Sequence, residues 1–152
     1  MEKQLKLVIA SDLSGYDLKQ ELFSRLKSKG YDITDYGCQS SQEGEYPYYA
    51  KKVAKAVVNK EFDRGIVICG TGQGITMACN KVKGARAALC YARFAAIMAR
   101  EHNDAHILGL GAWLLTADEA ELIIETFLFG KFSGLPRHQA RIDAMKEIEN
   151  EY

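Results

Sequence analysis

The chain has no excess of charge of either sign, no long apolar run, no paired-cysteine motif and few histidines. Twenty Lys and Arg offset twenty Asp and Glu in 152 residues, a balance that argues against nucleic acid or a membrane surface as the main partner. No apolar stretch approaches the roughly 18 residues of a membrane span, because Arg86, Arg93 and Arg100 interrupt the most apolar half. The opening MEKQLKLVIASD carries two lysines but too short an apolar stretch for a secretory signal, so the expectation is a soluble cytoplasmic protein. Cys38, Cys69, Cys79 and Cys90 form no CxxC pair and are joined by only three histidines, which signals neither a redox couple nor a zinc site. Reduced thiols follow. Linkers, repeats and low-complexity tracts are absent as well, and the length predicts a single domain over 1–152.

What the chain does contain is a regular alternation of short β-branched runs with longer stretches of helical period. LKLVIA (5–10), YDITDYG (31–37), RGIVICG (64–70), ARAALC (85–90) and AHILGLG (105–111) read as strands. Between and after them, 17–30, YYAKKVAKAVVNKE with Pro47 just before it, 74–82, 92–103, 116–129 and a last stretch from about Arg137 read as helices. Thr116 and Glu119 form a capping box at the start of the fifth. Five such units predict an α/β fold, a doubly wound parallel sheet with helices on both faces and a C-terminal helix.

Ligands in such folds sit beyond the carboxyl ends of the strands. The loop there after the third strand is CGTGQG, in which Cys69 precedes Gly70, Gly72 and Gly74. One reading is structural: the glycines permit a tight turn and Cys69 is a small buried hydrophobe. Phosphate loops fit poorly, since no lysine follows until Lys81 and a Walker loop needs GxxxxGK[ST]. The strand after this loop ends in Leu89 and Cys90, so the acidic partner of a dinucleotide fingerprint is missing. The other reading is a thiol beside backbone N–H groups at a helix N-terminus, which suits proton abstraction next to a carbonyl with charge developing on oxygen.

The motifs VICGTGQGI, NKVKGARAA, REHNDAHILGLG, EYP and PRHQAR resemble the type B ribose-5-phosphate isomerase family, which includes galactose-6-phosphate and other aldose–ketose isomerases. The resemblance spans nearly the whole chain. It implies an isomerase free of metal and cofactor that works through a cis-enediolate. Cys69 would move a proton between C1 and C2, and Thr71 with the amides of Gly70, Gly72 and Gly74 would hold the enediolate oxygens. Asp12 and Tyr46 would contact the sugar, His102 would assist ring opening with Asn103 nearby, and Arg137 and Arg141 would grip the phosphate.

Each of these residues also has a plainer reading. His102 is placed to cap or solvate a helix end, Asp12 to form a turn before Gly15, and Tyr46 to pack ahead of Pro47. Arg137 and Arg141 lie four apart on one helical face, as surface charges often do; positive charge in a first helical turn opposes the macrodipole, however, and a bound anion would resolve that conflict. Cys38, Cys79, Cys90, His106 and His138 are expected to be structural. A binding module that senses a sugar phosphate without converting it is the competing class.

Cys69 closes a strand and so lies at the carboxyl edge of the sheet, whereas His102 and Asn103 end a helix just before the next strand. Arg137 too has returned to that opposite edge. The expectation is therefore a homodimer whose sites are shared between subunits, with a tetramer as the alternative. Two departures bear on the substrate: many relatives of this kind carry histidine where Leu13 stands, and a phosphate-binding arginine often occupies the place of Trp113. The expected reaction is ribose 5-phosphate to ribulose 5-phosphate, and these departures leave galactose 6-phosphate, allose 6-phosphate, a tetrulose phosphate or an unphosphorylated sugar as alternatives for the same chemistry.

Overall fold

The computed structural model describes residues 3–40 and 44–152. Lys6–Ser11 (β1), Asp32–Asp35 (β2), Arg64–Cys69 (β3), Ala87–Leu89 (β4) and Ile107–Gly111 (β5) pair in parallel as one sheet of order β2-β1-β3-β5-β4. The helices are Tyr16–Ser28 (α1), Tyr46–Val58 (α2), Gln73–Cys79 (α3), Arg93–Glu101 (α4), Ala117–Phe129 (α5) and Pro136–Asn150 (α6).

Side chains alternate across each central strand, and both faces are covered. Leu7, Ile9, Ile66, Ile68, Leu108 and Leu110 pack with Leu22 and Leu26 of α1, Ala96 and Ala99 of α4, and Phe127 of α5. Val8, Ala10, Val67, Cys69 and Ile107 pack on the opposite face with Val53 and Val57 of α2 and Ile75 and Cys79 of α3. Burial on both sides is why these strands read as unbroken apolar runs. The chain steps one way across the sheet through α2 and α3 and the other way through α1 and α4, so right-handed crossovers put the two pairs on different faces. The loops after the neighbouring strands β1 and β3 therefore leave toward opposite faces, opening a crevice between their carboxyl ends.

The predicted fold class is the observed one, and the differences lie at element ends. α2 begins at Tyr46 rather than 48, and Pro47 sits within its first turn, where a missing N–H removes no intrahelical bond. β4 keeps only Ala87–Leu89 of the six residues expected, because it is an edge strand paired with β5 alone. The capping box is present: Glu119 N donates to Thr116 Oγ1 at 3.2 Å and Thr116 N donates to Glu119 Oε2 at 2.8 Å. Thr116→Ala is expected to cost about 1 kcal/mol of stability, read as a lowered denaturant midpoint with an unchanged slope. Among the described residues no helix is long and apolar enough to cross a membrane.

Candidate active site

β3 delivers Cys69 to the carboxyl edge in a buried position. The chain then turns sharply through Gly72, whose φ of 82° is left-handed and suits glycine. That turn folds the amide of Gly72 back onto Cys69, donating to Sγ at 3.2 Å. Gln73 N donates to Thr71 Oγ1 at 3.2 Å and Tyr91 Oη donates to the Thr71 carbonyl at 2.7 Å. The amides of Thr71 and Gly74 donate to no acceptor among the described residues. A sulfur oriented as an acceptor thus lies beside N–H groups open to an oxygen that gains charge.

Aromatic rings flank the turn. Tyr46, the first residue of α2, lies against Gly74, where an added Cβ would come within 2.8 Å of the ring. Trp113 lies against Gly70 at a corresponding 2.7 Å, and its amide donates to the Gly70 carbonyl at 2.8 Å. Only glycine admits these approaches. Asp12 follows β1 across the crevice: its amide donates to the Ile68 carbonyl at 3.2 Å, and its Oδ1 accepts from Ser14 Oγ at 2.6 Å and Gly15 N at 3.2 Å. The turn-forming reading of Asp12 is therefore satisfied, and its placement still brings it to the same crevice as Cys69.

The other sequence-predicted residues gather at the opposite edge. His102 caps the C-terminus of α4. The Asn103 carbonyl accepts from Arg86 Nε at 3.1 Å, just ahead of β4. Ile107 and Gly111 of β5 pair with Gly65 and Cys69 of β3, so at about 3.3 Å per residue the strand alone separates the two edges by about 13 Å. One subunit brings Cys69, Thr71, Asp12 and Tyr46 together in one place and His102, Asn103, Arg137 and Arg141 in another.

His138, expected to be structural, belongs to this second group. Its ring stacks on His102 with centroids 4.2 Å apart and planes inclined by 31°, and its Nδ1 is 2.6 Å from Ser133 Oγ. Burial, reinforced by His102, Arg137 and Arg141, holds its pKa below the ordinary histidine range. Its position beside Arg137 and one turn from Arg141 was the signal available in the sequence. His106 is the structural histidine: Nε2 accepts from Arg86 N at 3.1 Å, and burial lowers its pKa to about 4, so the ring is neutral. Burial likewise raises Cys79 to about 12 and Cys90 to about 11 and pushes Cys38 upward. Those three thiols remain protonated near neutral pH.

Residues 7–145 match the model of a family described as Ribose/Galactose Isomerase. A ribose-5-phosphate isomerase B of Listeria innocua is 43% identical over 145 residues, covering 95% of this chain and 97% of its own length. A structure of ribose-5-phosphate isomerase B from Clostridium thermocellum superposes with a TM-score of 0.94 at 47% identity, covering 97% of this chain and 99% of that one. The Mycoplasma genitalium enzyme, solved with bound ribulose 5-phosphate, superposes with a TM-score of 0.90 at 39% identity, covering 99% of this chain and 100% of that one.

Proposed function

Because the chain belongs to the ribose/galactose isomerase family, we propose that it interconverts ribose 5-phosphate and ribulose 5-phosphate as one isomerase domain acting in a homodimer. The observation that carries the chemistry is the Gly72 N–H on Cys69 Sγ beside the uncommitted amides of Thr71 and Gly74.

In this reading the Cys69 thiolate takes the proton from C2 of the open-chain aldose. The C2–H electron pair becomes the C1=C2 double bond, and the C1 carbonyl pair moves onto O1, giving a cis-enediolate. Thr71 and the amides of Gly70 and Gly74 hold its oxygens, which gain charge as the barrier is crossed, while the Gly72 amide, expected among them, is engaged by Cys69 Sγ. The O2 hydroxyl proton passes to O1, leaving the charge on O2; the O2 pair then forms the C2 carbonyl while the C1=C2 pair takes the proton back from Cys69 at C1, and the ketose results. Asp12 and Tyr46 orient the sugar.

Ring opening and phosphate binding fall to the other edge. His102 moves the proton between the anomeric hydroxyl and the ring oxygen, with Asn103 beside it, and Arg137 and Arg141 hold the phosphate by charge-assisted bonds. Both arginines lie near the start of α6, where an anion offsets the unfavourable placement of positive charge. Since the two groups of residues lie at opposite edges of one subunit, each site takes Cys69 from one subunit and His102, Asn103, Arg137 and Arg141 from its partner. The cytoplasmic setting of this reading is supported by four free, buried cysteines.

The test is an NMR time course in D₂O with purified protein, ribose 5-phosphate and no added metal. The expected result is ribulose 5-phosphate carrying deuterium at C1, with deuterium at C2 of the ribose 5-phosphate that returns. Absence of both turnover and exchange from folded protein overturns the assignment.

A further inference from the structure

Trp113 is the sole tryptophan of the chain and is 73% exposed, yet it is fixed against the most buried part of the crevice. β5 runs alongside β3 until Gly111 pairs with Cys69. Ala112 N then donates to the Cys69 carbonyl at 2.9 Å and Trp113 N to the Gly70 carbonyl at 2.8 Å. A Cβ on Gly70 would lie 2.7 Å from each of three contiguous ring atoms, Cδ2, Cε2 and Cζ2. Equal distances to neighbouring atoms mean that the indole presents its face, not its edge, to the turn. One face covers Gly70 and the rest of the ring is open.

The side chains that the contacts above bring to this turn, Asp12, Tyr46, Thr71, Tyr91 and Trp113, include no cation. Among the described residues, three cations on the helices that leave this edge have partners elsewhere. Lys19 is buried 2.5 Å from Asp35, Lys52 donates to the Tyr36 carbonyl at 3.0 Å, and Arg93 Nε donates to Thr126 Oγ1 of α5 at 3.2 Å. On this side recognition falls to aromatic surface, which takes up C–H groups and rejects a hydroxyl left without a partner.

Resting on the isomerase reading above, we infer that Trp113 is a specificity-determining residue: its open indole surface packs along the C–H groups of C3 and C4, on the side from which Cys69 reaches the C2–H, and so selects ribo-configured aldose phosphates. Only in the ribo configuration do the three hydroxyls of the curled open chain lie on one side, leaving an unbroken row of C–H bonds on the other. Inverting C3, as in xylose 5-phosphate, turns a hydroxyl toward the indole.

A sole tryptophan makes the contact directly readable. Titration of the intact protein with ribose 5-phosphate should shift Trp113 emission and lower its quenching by acrylamide severalfold, while inorganic phosphate, which reaches only the arginines, should leave both unchanged. Trp113→Ala should raise KM for ribose 5-phosphate about tenfold and shrink the preference for ribose over xylose 5-phosphate, measured as a competing ligand, by a similar factor. Trp113→Phe keeps an aromatic face and should retain most of both. Unchanged emission at saturating ribose 5-phosphate while turnover continues overturns the inference and leaves the isomerase reading standing, as does an equal response to inorganic phosphate. Absence of turnover together with absence of any fluorescence response overturns both.

Discussion

Cys69→Ala is expected to lower kcat by about 10²- to 10⁴-fold, the range for loss of a positioned general base, and to abolish deuterium incorporation from D₂O. Binding should survive. The arginines of α6 and the amides of Thr71 and Gly74 do not depend on the sulfur, so the loss falls on kcat and not on affinity for a sugar phosphate. Cys69 is a small buried side chain at the end of a central strand, and its truncation removes one atom while the β3 ladder to β1 and β5 stays intact. Cys69→Ser separates the sulfur's chemistry from its structural bond. The hydroxyl can still accept the Gly72 N–H, which holds the turn, but it releases its proton too reluctantly to serve as a base near neutral pH, so this variant should be nearly as inactive. Isotope exchange at the wild-type rate in either variant would place the base elsewhere.

Much of this architecture was legible in the residues because local and global requirements agree. The strands β1, β3 and β5 carry continuous apolar runs since both faces are covered, and period alone then separates them from the helices. Thr116 and Glu119 mark a helix start through bonds made within one turn, which is why a local pattern suffices. The cysteine turn was legible for a similar reason, since alternating glycines after an apolar run describe both a strand end and a backbone that something must approach closely.

The features that escaped depend on contacts between distant segments. Lys19 would pass for a solvated helix residue, but it is fully buried, held 2.5 Å from Asp35 of β2 and 5.4 Å from the Tyr16 ring. Such burial is tolerable only because the charge is paired, and its partner lies sixteen positions away. His138 lacks any motif of its own; its stacking on His102 is created by α6 returning to the end of α4. The seating of Trp113 on Gly70 likewise depends on the register of β5 against β3, which places Gly111 opposite Cys69. Pro47 obscures the start of α2 because the residue before a proline is usually non-helical, whereas here Glu45 takes the extended N-cap position without a side-chain bond and Tyr46 opens the helix.

The central claim is that one catalytic site draws on two subunits, and mixing two inactive variants measures it. Cys69→Ala and His102→Ala each damage both sites of their own homodimer. Combined in equal amounts and allowed to exchange subunits, half of the dimers become mixed, and each mixed dimer contains one site with Cys69 and His102 both intact. Recovery of about a quarter of wild-type activity per subunit is therefore predicted from the two-fold arrangement, with exchange verified independently by mass-tagged subunits. Complete absence of recovery under verified exchange would contradict the account, since it would mean that Cys69 and His102 serve the same sugar from within one chain or do not act on it together.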